Sequence, residues 1–463
     1  MARVSELYRE KWANGLKSLH VIILENMSFT LDTFATLSKN YATWSELKAF
    51  LVSKEGGQLR VVEEDGLAVI RYDKVVKMDV DVAQYRSVVW DMSGNIPLCV
   101  APFRAMEGAP PVNMPLSSVE DFVDGFMMNA WVTNGVLQVA TRTWVGGENH
   151  FYSEKSFGQL FDECLEKTSL KNRDGLKACL EALRSTENAS SAFVSFVAQH
   201  PEHRIVAKVV APTLFTVHTG SVMADGTVRI SERSVNWPQE LSALRIGTYN
   251  HKSFEKDDEV EVLLRNTAAQ RGWRWQGLVF KDGKGRRWRM RTPTYTLLRQ
   301  LRGSESTTLE RFFRLRAQRK VVDYLKHYKE ESDEFWKYEE VLRARTADVF
   351  SAYVDVHKAH VVKFKELPEH IRPAVFLLHT KWREQLRPKG FYVRLQNVIE
   401  VVNKLRPFEK KRLMDMEPYV AVAKRDGTNT NANVPADGEW GGEEVDAVEE
   451  VDAVQPEPES ETN

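Results

Sequence analysis

The sequence predicts an α+β protein: an antiparallel-sheet domain, then an all-helical domain, then a disordered acidic tail. Three observations predict it. Short apolar segments separated by turn residues fill the stretch from about residue 60 to 300, without the regular strand–helix alternation of a parallel sheet. From about residue 305, apolar side chains recur at helical spacing instead. From about residue 425 the chain is acidic and low in complexity, with a tandem Glu-Glu-Val-Asp-Ala-Val at 443–448 and 449–454. Such a segment buries too little apolar surface to fold.

The elements follow in order. Residues 1–55 read as largely helical, with Leu7, Trp12, Leu16 and Leu19 at helical spacing. Strands are expected at Leu67–Tyr72, Arg86–Asp91 and Ile96–Val100. Two more, Asp124–Trp131 and Val136–Thr141, are joined by Asn134-Gly135, a dipeptide suited to a tight hairpin. Residues 155–187 read as helical through Phe157, Leu160, Phe161 and Leu165. Strands resume at Ala192–Val197, Ile205–Val210, Leu214–His218, Thr227–Ile230 and Gly277–Phe280. Helices are expected at Ser306–Lys329, Asp333–Phe364, Pro368–Leu386 and Phe391–Leu405, punctuated by Pro368, Pro373, Pro388 and Gly390. The expected domains are 1–304, 305–415 and a tail from 425 to 463.

At 463 residues and 43% hydrophobic, the chain has enough material for two or three domains and sizeable cores. It has no apolar run near the roughly 20 residues of a membrane span. Its charged N-terminus lacks the apolar stretch of a secretory leader, so no membrane partner is expected. Cys99, Cys164 and Cys179 have no metal-type spacing, which points to a reducing, intracellular and cytoplasmic setting. The net charge of −1 hides an asymmetry. From Arg425 onward one arginine stands against twelve acidic residues; the rest carries 63 basic and 53 acidic residues. A basic body with an acidic tail suits an anionic partner such as nucleic acid, and the tail suits either a basic partner or the protein's own basic surface. Solubility alone is the blander reading of the same charges.

Several segments between about residue 86 and 303 stand in a telling order. Arg86-Ser-Val-Val-Trp-Asp91 and Val100-Ala-Pro-Phe103 come first. Phe122-Val-Asp124-Gly125 precedes an apolar run, and Thr141-Arg142-Thr143 lies one hairpin later. Phe196-Val-Ala-Gln-His follows, with Arg204-Ile-Val206 beyond it. Then come Gln276-Gly-Leu-Val-Phe-Lys281 and Arg289-Met-Arg-Thr292 with Tyr295, and Arg299-Gln-Leu-Arg-Gly303 closes the series. Together these resemble the motifs of the phage-type RNA ligases, within the covalent nucleotidyltransferases that include DNA ligases and capping enzymes. The resemblance extends to degenerate ligase-like proteins of large DNA viruses, which adds the virion to the expected locations. It implies a ligase-like nucleotidyltransferase domain followed by the helical domain.

The departures from that pattern all remove chemistry. The family's nucleophilic lysine is Phe122, and a phenyl ring has no lone pair to attack a phosphate. The strand glutamate is Val197 and the second glutamate is Gln276, so two metal-binding carboxylates are gone. The late lysines are Arg289 and Arg291, which clamp phosphate but do not act as nucleophiles. The resemblance therefore implies a ligase-like protein without adenylyl transfer and with no catalytic residue. Nucleotide binding would fall to Phe122, Asp124, Gly125, Arg142, Gln276, Lys281, Arg289 and Arg291. ATP and Mg are the cofactors it brings into view, neither of them required.

The run from Lys281 to Arg291 interleaves basic residues with Trp288. Arg286, Arg287, Trp288, Arg299 and Arg302 are accordingly the candidate nucleic-acid contacts, RNA ahead of DNA. Arg311, Arg314, Arg316, Arg319 and Lys320 continue the charge, with a solvated helical face as the equal alternative. Two other functions stay open: an active ligase using a displaced lysine, with Lys281 ahead of Lys74 and Lys77, or a structural or virion protein using the fold as a scaffold. His200 and His203 stand three apart without a third ligand at useful spacing, so they read as a turn. No metal site is expected.

Overall fold

The structure is a computed structural model that describes residues 28–73, 80–232, 234–250 and 253–422. The expected N-terminal helix around Leu7–Leu19, Lys74, Lys77 and the acidic tail lie outside the described residues. The chain divides into two compact units, Met1–Tyr338 and Glu339–Asn463.

In the first unit, β1 (Ser28–Leu31) leads into α1 (Thr33–Asn40) and α2 (Trp44–Val52). A meander of β2 (Arg60–Glu64), β3 (Leu67–Arg71), β4 (Val88–Asp91) and β5 (Ile96–Val100) follows. Next come β6 (Met106–Glu107), β7 (Ser118–Asp121), β8 (Phe126–Thr133) and β9 (Val136–Thr141). Helices α3 (Phe157–Glu166) and α4 (Arg173–Thr186) precede β10 (Ser191–Gln199), β11 (Thr213–Val222) and β12 (Val228–Ser231). Then follow β13 (Thr248–Tyr249), α5 (Asp257–Arg271), β14 (Gly277–Lys281) and β15 (Arg287–Arg291). Helices α6 (Pro293–Arg302), α7 (Thr308–Ala317), α8 (Val321–His327) and α9 (Ser332–His357) close the series, and the boundary between units falls within α9.

The strands form three sheets, ordered β1-β12-β11-β10-β8-β9, β13-β7-β14-β15-β6 and β2-β3-β4-β5. Pairing is antiparallel except between β15 and β6, so the α+β expectation holds. One face of the six-stranded sheet packs on α3 and α4 through Met128, Ala130, Phe161, Leu180 and Phe196. Its other face meets the four-stranded sheet through Trp131, Phe193, Ile70 and Trp90. The five-stranded sheet covers one face with α5, where Val260 and Leu264 join Val119, Leu278, Phe280 and Trp288. Its opposite face carries the charged side chains described below.

Local chemistry explains several boundaries. Asn134 and Gly135 both take positive φ, 50° and 72°, as a type I′ hairpin requires. The helical stretch expected over 155–187 is two helices, because Ser156 and Asn172 each cap a new start. No strand forms at Ile205–Val210. The Val206 and Ala207 N–H groups are spent on the Asp124 carboxylate, 2.9 Å from each, instead of on a neighbouring strand. The helix expected from 306 to 329 breaks where Arg319 adopts φ 56°.

The second unit is all-helical in its described residues. It comprises the rest of α9, α10 (Arg372–Lys381), a π-helical turn at Trp382–Leu386, α11 (Leu395–Lys404) and α12 (Pro407–Asp415). Val349, Val375, Leu378, Val398 and Leu413 are fully buried in it. Among the described residues no helix is long and apolar enough to cross a membrane.

Candidate anion-binding cleft

The β14–β15 hairpin sorts its side chains by strand alternation. Leu278, Phe280, Trp288 and Met290 point to the α5 core. Val279, Lys281, Arg287, Arg289 and Arg291 therefore share the other face. Register places Arg287 opposite Lys281, Arg289 opposite Val279 and Arg291 opposite Gly277. Like charges set directly across a ladder repel, so this face needs anions.

Buried carboxylates supply part of that need. Lys281 is fully buried, with Nζ 2.8 Å from Glu120 and 4.0 Å from Glu232. It also donates to the Val217 carbonyl at 3.3 Å. Burial raises the Glu232 pKa, and the nearby Lys281 and Arg287 charges pull it back. At the outer end, Glu107 on β6 accepts from Arg289 Nε at 2.7 Å and from Arg291 Nη1 at 3.1 Å.

Phe122 continues β7 on this face, its N–H donating to the Gly277 carbonyl at 2.8 Å. The Arg291 guanidinium carbon lies 4.9 Å from the Phe122 ring centre and that of Arg289 5.9 Å. Phe122 is thus a platform for two cations, a contact worth about 0.5–2 kcal/mol according to exposure. Gly277 (φ +146°) is obligatory here, since a Cβ would fall 1.9 Å from the Met290 carbonyl oxygen.

Further arginines converge from other strands. Arg142, just past β9, and Arg104 each place a guanidinium 4.9 Å from the Tyr72 ring. Arg86 joins this group to β15. Burial lowers its pKa most, and the Arg287, Arg142 and Arg289 charges add to that, bringing it to about 10. Arg71 is lowered by burial and then by Arg142. At that level Arg86 still holds its proton at neutral pH, so the cleft concentrates positive charge. Arg287 is 7% exposed, and its Nε and Nη1 have no hydrogen-bond partner. The Nε atoms of Arg71, Arg142 and Arg291 are also buried without one. Buried donors of this kind are costly unless something accepts from them.

The residues singled out from the sequence fall into three groups. Phe122, Arg142, Arg287, Arg289 and Arg291 come together in the cleft. A second group supports the fold. Asp124 is buried and accepts from Val206 N, Ala207 N and Tyr295 Oη. Gly125 lets Ala198 approach, where a Cβ would lie 2.3 Å from its carbonyl oxygen. Gln276 is buried, and its carbonyl accepts from Thr292 N at 3.0 Å. Lys281 is sealed beneath the cleft, not on its wall. A third group lies elsewhere. Trp288 is in the α5 core on the reverse of β15, so it offers no stacking surface. Arg286 pairs with Asp282 at 2.6 Å. Arg299 is half-buried and donates to the Gly303 carbonyl. Arg302 and Arg311 are buried and share Glu331, at 2.5 and 2.9 Å. Their charge is spent inside the fold, which corrects their reading as surface contacts.

Arg71, Tyr72, Arg86, Arg104 and Glu107 were not among the expected site residues. Arg86 stood in a quoted motif, and the Arg-x-Arg-x-Arg alternation at 287–291 was the signal for a one-sided cationic strand. His200 caps a 3₁₀ turn, Pro201–His203, and His203 is its last residue. Glu163, His200 and Glu202 have metal-like spacing, but Lys155 Nζ already pairs with both carboxylates, at 2.8 and 2.6 Å. A surface depression of about 560 Å³, with Asp32, Lys39 and Asp225 in its lining, shares no residue with the cleft.

No family model matches the chain, and no curated protein does. Among solved structures, a putative ATP-dependent DNA ligase from Aquifex aeolicus is similar with a TM-score of 0.33 and 11% identity over 77% of this chain and 86% of that one.

Proposed function

We propose that this chain is an RNA ligase-like protein that has lost adenylyl transfer and binds nucleotide or nucleic acid through the arginine cleft. The observation that carries it is the face of β15. Three arginines project from one side of a strand, beside a phenylalanine where the ligase pattern has its nucleophile. Guanidinium groups suit phosphate oxygens, to which they donate in pairs. Val197 and Gln276 stand where the resembled pattern has the carboxylates that would hold Mg. The acids of the cleft, Glu120, Glu232 and Glu107, already face Lys281 or arginines. The donor set fits a phosphate and does not fit a divalent cation.

A displaced nucleophile at Lys281 is disfavoured by its burial against Glu120. The test is incubation with labelled ATP or GTP and a divalent metal, alongside a binding assay. Binding without a stable protein–nucleotide adduct is expected. A stable adduct overturns the loss of adenylyl transfer, and absence of any nucleotide or nucleic-acid binding leaves the scaffold reading in its place.

A further inference from the structure

The outer and inner parts of the cleft differ in one respect. At the outer part, Arg289 Nε and Arg291 Nη1 each meet a separate oxygen of the Glu107 carboxylate, at 2.7 and 3.1 Å. Two arginines on one side of a strand are thus aimed at a single two-oxygen anion. A phosphate group presents the same pair of oxygens. Glu107 itself is 61% exposed and sits at the sheet edge, on a strand of two residues. Little besides this contact holds its side chain in place. At the inner part, Arg287 is buried with Nε and Nη1 unpartnered. The nearby carboxylate, Glu232, faces Lys281 as well.

Resting on the binding function proposed above, we infer that Glu107 is an internal stand-in for phosphate. Its carboxylate fills the outer seat of Arg289 and Arg291 until a phosphate-bearing ligand displaces it and reaches Arg287 with a second phosphate, and neither seat uses a divalent cation. Strand geometry sets the two seats apart. Residues two apart on a strand are separated by about 6.6 Å, more than the spacing of phosphates that share a bridging oxygen. Successive phosphates of a single-stranded nucleic acid span such a distance more readily than those of one nucleotide. The exposed ion pair contributes little on its own. Glu107 therefore tunes affinity and does not block the site.

The test uses the full chain in EDTA, with two probes: a fluorescent single-stranded oligoribonucleotide and ATP. Wild type is compared with Glu107→Gln and Glu107→Ala. Both variants should bind roughly three- to tenfold more tightly, the gain expected when one carboxylate stops competing for two guanidinium groups. Added Mg should not tighten binding further. Tightening with the oligonucleotide alone assigns the two seats to successive backbone phosphates, and tightening with ATP alone assigns them to one nucleotide. Both results support the stand-in. If wild type binds and neither variant differs, or if binding appears only with Mg, the stand-in is overturned while the binding reading survives. If no protein binds either probe, both fall.

Discussion

Asp124 accepts from two buried donors and a half-buried one that lie far away in sequence: Val206 N, Tyr295 Oη and Ala207 N, at 2.9, 2.7 and 2.9 Å. Replacing it with alanine strands all three. At about 1–3 kcal/mol for each buried donor left unpaired, Asp124→Ala should cost on the order of 3 kcal/mol or more. Asp124→Asn keeps an oxygen for the two backbone N–H groups and an amide for the tyrosine oxygen, so it should cost much less. Chemical denaturation of the two variants checks this, and equal losses would show that hydrogen bonding is not the source. The contrast also shows what one residue reveals in a sequence. Phe122 drew notice because the resembled motif defines what should stand there. The role of Asp124 was not, because its partners come from 82, 83 and 171 positions away. An Asp-Gly pair looks the same whether its carboxylate faces a ligand or the protein's own backbone.

Elements were legible where one face is apolar and the other is not. The strands Ile96–Val100 and Val136–Thr141 have the bounds the sequence suggests. β15 escaped notice because Arg-Trp-Arg-Met-Arg also has the pattern of a nucleic-acid-binding run, and five residues cannot separate the two readings. β1 lies where helix was expected, since its residues pair with β12 and contribute Leu31 to a core built from distant segments. The short turn Pro201–His203 shows a different kind of hidden content. It carries His203 into a cluster with Phe126, Tyr152 and Phe157. Both ring nitrogens lack a hydrogen-bond partner. Burial lowers the His203 pKa to about 4, with Arg302 and other positive neighbours adding to the effect. The unfolded chain takes up a proton near pH 6.5, whereas the folded one holds none until about pH 4. Between those values the unfolded state binds more protons, so stability is full above about pH 6.5 and falls as the pH drops towards 4. The loss approaches on the order of 3 kcal/mol. His203→Phe should abolish that share, so its stability relative to wild type should rise steadily from pH 7 to pH 4. Parallel denaturation curves for the two proteins across that range would assign the acid sensitivity elsewhere.

For the whole molecule the decisive quantity is where the charge lies, because the net value of −1 conceals a basic body and an acidic tail. Much of the basic excess does not face outward. Lys281, Arg302 and Arg311 are buried against carboxylates, and only the remaining cations can meet a polyanion. Counting basic residues therefore overstates the binding surface, and salt dependence measures it better. Each phosphate neutralised on a single strand contributes about 0.7 to the slope of log affinity against log salt. Arg289 and Arg291 are each only about a quarter exposed, and their carboxylate partner is an exposed one. If the pair exchanges that carboxylate for one phosphate, Arg289→Ala/Arg291→Ala should reduce the slope by about 0.7. Arg302→Ala, which removes a charge already matched by Glu331, should leave the slope unchanged whatever it does to stability. Titrations of a single-stranded oligoribonucleotide at several salt concentrations, with folding of each variant verified first, compare the two. A slope that drops equally for both would mean that charge acts through the general field of the body. A slope that drops for the β15 pair alone places the phosphate on the strand face where Arg289 and Arg291 stand beside the Phe122 ring.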